Sequence, residues 1–245
     1  MSDANRGPGN EEIPARQPIF LLPMSVTVLG GLMLAIHLAS SFVFNEDGLL
    51  ALNTWFGFVP YRIIAGNEIE GGFWPLIWTP FTHAFLHAGW DHLIINLLWF
   101  AIFATPVARR YGGVSMTILF LASAAAGALL FAATTLPQVQ ILIGASGGVA
   151  GLTGAASRFI FQPVIFARDP ETGLQRPLGR RLAGLVETFT SPRSRYFVIV
   201  WTVLNAAVPL LPILTGTSVQ IAWQAHLGGF FAGFFLVGLF DRRFN

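Results

Sequence analysis

Apolar positions in this chain come as long, nearly unbroken runs, and the polar positions collect between them. A helix half-buried in a soluble core would instead alternate apolar and polar faces at the 3.6-residue period. The runs predict spans at 19–44, 79–104, 114–135, 146–166, 196–214 and 219–240. Each is close to the roughly 20 residues that carry a helix across a hydrocarbon core. The expected fold class is therefore all-α: a polytopic membrane protein with a six-transmembrane-helix bundle over residues 18–245. Residues 1–17 are polar, hold Gly7, Pro8, Gly9 and Pro14, and read as a disordered tail. The run that follows is too long for a signal-peptide core and shows no small-residue cleavage site, so the first span is expected to stay in the mature protein.

Composition agrees with the runs. Only 11% of residues are charged against 54% hydrophobic, where soluble domains carry about 25% charged residues. The chain contains no cysteine, which removes disulfides, thiolate nucleophiles and cysteine-bound metals from consideration. All 14 basic residues are arginine, so a Ser-Lys dyad cannot be assembled. No internal repeat is visible, and an inverted-repeat transporter loses its usual pointer.

Arginine orients the spans. Thirteen arginines fall on one side of a six-span serpentine, among them Arg109, Arg110, Arg158, Arg180 and Arg193. Only Arg62 falls on the other side, in the loop 45–78. The positive-inside rule then places both termini in the cytoplasm. The basic loop 167–195 could meet anionic headgroups, but its arginines are already accounted for by topology. Nothing in the pattern suggests nucleic-acid binding. The loop 45–78 is rich in Trp, Phe and Tyr and is expected to lie in the membrane interface.

Candidate chemistry sits on three spans that start from the same, non-cytoplasmic side. Ser146 opens the fourth, within Gly144-Ala145-Ser146-Gly147-Gly148. His226 lies about two turns into the sixth, and the second carries His92 and Asn96, four apart and so on one helical face. A hydroxyl needs a base to become a nucleophile. With no Lys, no Cys and no carboxylate in spans four to six, histidine is the available base. A serine at a helix N-terminus also meets unpaired N–H groups suited to a developing oxyanion. Gly229 and Gly233 form a small-residue seam below His226, able to approach Gly147, Gly151, Gly154 and Ala155 of span four. The bland alternative for each feature is packing: small residues, buried histidines and amides also serve as interhelical contacts. His83 and His87 have metal-ligand spacing, but Ala84 stands where a His-Glu-x-x-His site needs its carboxylate. No metal and no cofactor is expected. His37 and Asn205 have no evident partner and read as packing residues, and Asp91 points away from His92 and is given no triad role.

Taken together, His87 to Asn96, Gly144 to Gly147 and Ala225-His226-x-x-Gly229-x-x-x-Gly233 resemble the motifs of rhomboid intramembrane serine proteases, in order, across essentially all six spans. The resemblance implies Ser146 as nucleophile, His226 as base, and His92 and Asn96 as oxyanion donors. It implies a serine endopeptidase that cuts in or near transmembrane segments of membrane proteins, with small residues at the cut. The lipid bilayer and transmembrane substrates would be its partners. A bacterial inner membrane suits such a chain, with the site opening on the periplasmic side. Two positions depart from the family pattern. Ala150 replaces the aromatic residue that often stacks on the histidine, leaving Phe230 or a water to orient His226. The Trp-Arg pair that often precedes span two is also missing. The competing expectation is a catalytically inactive rhomboid-like factor that binds or escorts membrane proteins. A histidine-based transporter would need acidic relay residues, of which the spans contain almost none beyond Asp91.

Overall fold

The computed structural model describes residues 22–169, 173–210 and 221–241. The tail read as disordered, 1–17, lies outside the described residues. The chain is an all-α polytopic membrane protein built from α1 (Met24–Phe42), α2 (Glu46–Phe56), α3 (Trp90–Tyr111), α4 (Gly113–Thr135), α5 (Ser146–Ser157), α6 (Leu185–Thr190), α7 (Pro192–Ala206) and α8 (Trp223–Leu236), with one hairpin between α5 and α6. Among the described residues, four helices are long and apolar enough to cross a membrane: α1, α3, α4, and α8 with the 3-10 turn that extends it. The places of the fourth and fifth predicted spans are taken by shorter helices, α5 with 12 residues and α7 with 15. At 1.5 Å per residue, α5 is only about 18 Å long.

Two boundaries depart far from the sequence reading, each for a local reason. The second span begins at Trp90 rather than 79, because Thr79–Thr82 and His83–Phe85 form single turns before Leu86 becomes extended. Helix α3 starts after Gly89, with Asp91 in its first turn and Arg109 and Arg110 in its last, matching the helix dipole at both ends. The fourth span stops at Ser157, not 166. Beyond it Val164–Arg168 (β1) and Gln175–Arg180 (β2) pair antiparallel, with a register irregularity at Ile165/Phe166, so the hairpin takes the last residues read as span four and the start of the loop read after it.

The segment between α1 and α3 is folded onto the bundle. Arg62, fully buried, donates to the carbonyls of Glu70 (2.7 Å), Gly72 (2.9 Å) and Thr54 (2.8 Å). Trp55 and Trp78 stack at 6.4 Å, and the Trp78 indole N–H donates to the Trp55 carbonyl. Phe58 and Leu142 exchange both backbone hydrogen bonds, at 3.0 and 2.8 Å. That bridge fastens the segment to the strand-like run leading into α5. Trp74 and Ile77 remain exposed on its outside, in keeping with aromatic residues at a membrane interface.

On the hairpin side, two arginines that the charge pattern assigned to topology alone are buried ties. Arg158 follows α5 and donates to the carbonyls of Ala183 and Phe234. Arg110, at the end of α3, pairs with Asp241 at 2.9 Å and bonds the Arg180 carbonyl. The last turns of α3, α5 and α8 are thereby held together.

The centre of the bundle is made by α8 lying against α4 and α5. A Cβ on Gly229 would overlap the Gly147 carbonyl, and one on Gly233 would overlap that of Gly151. One on Gly127 would come within 2.5 Å of the Ala225 carbonyl. The helices meet backbone to backbone, so close packing here rests on van der Waals contact between small residues rather than on large side chains.

Candidate active site

Ser146 is the first residue of α5. Its position follows from Gly144, whose φ of +122° turns the incoming strand into the helix. The Gly144 N–H donates to the His83 carbonyl at 2.9 Å, which pins the turn. Because Val149 N–H bonds back to Ala145, the N–H groups of Ser146, Gly147 and Gly148 precede the first intrahelical bond. They remain free to polarise an oxygen placed beside the serine.

His92 lies against that turn. A Cβ on Gly144 would come within 2.7 Å of its Cε1 and 2.8 Å of its Nε2. Glycine at 144 therefore serves both the backbone angle and the seat of an imidazole. One turn further along α3, Asn96 is buried, and its Nδ2 donates to the His92 carbonyl at 2.9 Å. One amide hydrogen is committed to its own helix and the other is left over.

His226 comes from α8, one residue after Ala225, whose carbonyl packs against Gly147 and Gly127. The seam described above thus sets the height of His226 relative to Ser146. Ser146, His226, His92 and Asn96 all line a single cavity of about 780 Å³, together with Asp91, Trp99, Ala150, Trp201 and Asn205. Its walls are mainly apolar and its few polar groups converge, the usual character of a ligand site. No hydrogen bond joins Ser146 to His226 among the described residues; such bonds are often long in unliganded sites and tighten with substrate.

The orientation of His226 is the point on which the sequence reading needs correction. Asn205, read as a packing residue without a partner, places its Oδ1 2.9 Å from His226 Nδ1. Its Nδ2 donates to the Trp201 carbonyl at 2.9 Å. Phe230 does not orient the histidine; it stacks on Trp201 at 4.1 Å and 16°. Ala150 packs in the same cluster with Val198, Phe230 and Phe234, so an indole from α7 occupies the region beside the missing aromatic. One signal for Asn205 was present: a polar amide within an apolar span, four residues after Trp201.

The remaining histidines stand apart from this arrangement. His83 Nδ1 bonds the Thr79 carbonyl at 2.9 Å, so that ring is structural. His87 sits edge-on to His92 at 5.2 Å, and His37 edge-on to Trp90 at 4.7 Å. Among the described residues no group of three or more His, Asp or Glu could hold a metal ion.

A profile of the Rhomboid domain matches residues 75–243. RHOMBOID-like protein 1 of Arabidopsis thaliana is 28% identical over 179 residues, covering 69% of this chain and 38% of that protein. RHOMBOID-like protein 6, mitochondrial, from the same plant is 29% identical over 176 residues, covering 71% and 45%. Rhomboid-related protein 2 of Mus musculus is 27% identical over 158 residues, covering 64% and 45%. The chain spans less than half the length of these curated relatives.

Proposed function

Because the chain belongs to the rhomboid family, we propose that it is an intramembrane serine endopeptidase, with Ser146 as nucleophile and His226 as general base. The observation that carries this reading is the convergence of Ser146, His226, His92 and Asn96 on one cavity, beside a seam where the α8 glycines rest on α5 carbonyls.

In the reaction, His226 Nε2 takes the Ser146 hydroxyl proton as Oγ bonds to the scissile carbonyl carbon. The carbonyl oxygen becomes an oxyanion, stabilised by the Ser146 backbone N–H, the His92 ring and the free Asn96 amide hydrogen. The imidazolium then protonates the leaving amine, and the peptide bond breaks to give an acyl-enzyme. Water, deprotonated by the same imidazole, hydrolyses the ester and restores the serine. A helical substrate hides its carbonyls in its own hydrogen bonds, so the scissile segment must be unwound to be attacked. Transmembrane segments with small, helix-weakening residues at the cut suit this requirement. The arginine distribution supports an orientation with both termini cytoplasmic and the cavity on the opposite side, as in a bacterial inner membrane.

The test uses purified protein in detergent, a fluorogenic transmembrane substrate and a fluorophosphonate probe. The wild type is expected to cleave the substrate and take the label; Ser146→Ala and His226→Ala are each expected to lose both. Cleavage by Ser146→Ala at near wild-type rate would remove Ser146 as nucleophile. A wild type that neither cleaves nor labels would turn the reading to a non-catalytic binding factor.

A further inference from the structure

The hydrogen bond between Asn205 and His226 belongs to no part of the reaction described above, and its geometry is determined at both ends. The Trp201 carbonyl can only accept, so the Asn205 group facing it at 2.9 Å is the amide NH₂. The other end of the amide, Oδ1, therefore faces His226 Nδ1 at 2.9 Å. A carbonyl oxygen can only accept, so Nδ1 carries the proton and donates it. In a neutral imidazole the remaining lone pair then lies on Nε2. The Trp201 carbonyl, through one side chain, thus selects the tautomer of an imidazole on another helix.

We propose that Asn205 is a positioning residue for the Ser146-His226 pair, holding His226 as the Nδ1–H tautomer with Nε2 free to accept the serine proton. The proposal rests on the protease reading and deepens it. Free imidazole in water favours the opposite tautomer, which would put a hydrogen on Nε2 and leave it unable to act as base. Fixing the tautomer and the ring plane is the role the third member plays in hydrolytic triads, where an amide can stand in for a carboxylate. The same contact accounts for the absence of an aromatic residue at Ala150: the ring is held by its edge from α7 rather than by its face from α5. Because Asn205 is neutral, it orients the ring without stabilising the imidazolium as strongly as a carboxylate would.

The experiment compares wild type, Asn205→Leu and Asn205→Asp with Ser146→Ala and His226→Ala as references. Asn205→Leu keeps the branched shape and removes the acceptor. It is expected to lower kcat roughly 10- to 100-fold with KM within about twofold, since a misaligned base impairs chemistry more than binding. Asn205→Asp restores an acceptor and adds a charge. Activity is expected to recover above the Leu variant, with the acidic limb of the rate profile moved up by about one pH unit, because a carboxylate favours the protonated ring. The groups facing that ring from the cavity wall, His92 and Asp91 on α3, are unchanged in all variants. A readout independent of variant folding comes from nitrogen NMR of histidine-labelled wild type, with the His226 signal identified by its loss in His226→Ala. The Nδ1–H tautomer is expected. An Nε2–H tautomer in wild type, or unchanged kcat in a folded Asn205→Leu, would overturn the positioning role while leaving the dyad standing. Failure of wild type to cleave or label would overturn both readings together.

Discussion

Gly144 answers to two demands at once, and neither can be met by another residue. Its φ of +122° is costly for any side chain, and the space its Cβ would fill is held by the His92 ring. Strain at such a position is of order 1–3 kcal/mol. Gly144→Ala is therefore expected to lower the thermal midpoint in detergent and to reduce cleavage at least tenfold, by displacing His92 and the N-terminus of α5. A steady-state assay beside a thermal melt checks it; wild-type turnover in the variant would show that His92 need not rest where it does. This residue's importance was half legible. The glycine frame around Ser146 is plain in the chain, but the imidazole that leans on it comes from 52 positions away, at His92. Asn205 was less legible still. Its neighbours in sequence are apolar, and only packing brings it to His226.

Among the elements, the contact of α5 with α8 is the decisive one. Where two backbones touch, adding a methyl group has nowhere to go, and overpacking of this kind costs about 1–3 kcal/mol. Gly229→Ala, against the Gly147 carbonyl, is expected to destabilise by at least that amount and to abolish probe labelling. Gly31→Ala provides the control: it lies within α1 with nothing within 4 Å of its would-be Cβ. Higher helix propensity should leave it within about 1 kcal/mol of wild type or slightly more stable. Unfolding in a denaturing detergent distinguishes the two, and equal behaviour of the pair would refute the seam as the determinant of the site. The seam itself could be read from the four-residue glycine spacing. The lengths of the elements could not: α3 starts late and α5 stops early, because apolar character continues through turns and a hairpin that are not helical.

Across the whole molecule, buried arginines at the hairpin end hold the bundle in register. Arg158 connects the end of α5 to Ala183 and to the Phe234 carbonyl of α8. Charged hydrogen bonds of this type contribute about 1.5–3 kcal/mol each, so Arg158→Met is expected to lower stability by at least about 2 kcal/mol while probe labelling of the folded fraction persists. A melt together with labelling of the surviving folded protein decides it, and an unchanged midpoint would reduce Arg158 to a topology signal. The sequence alone determined that this chain lives in a membrane and crosses it as helices, since long apolar runs satisfy their backbone there only in helical form. By the order of three motifs it also determined the family. Tertiary structure decided what single positions do: which arginines are buried ties, where each span begins, and what holds His226. Those outcomes depend on contacts between residues remote in the chain, and hydropathy, being a property of each position by itself, carries no record of them.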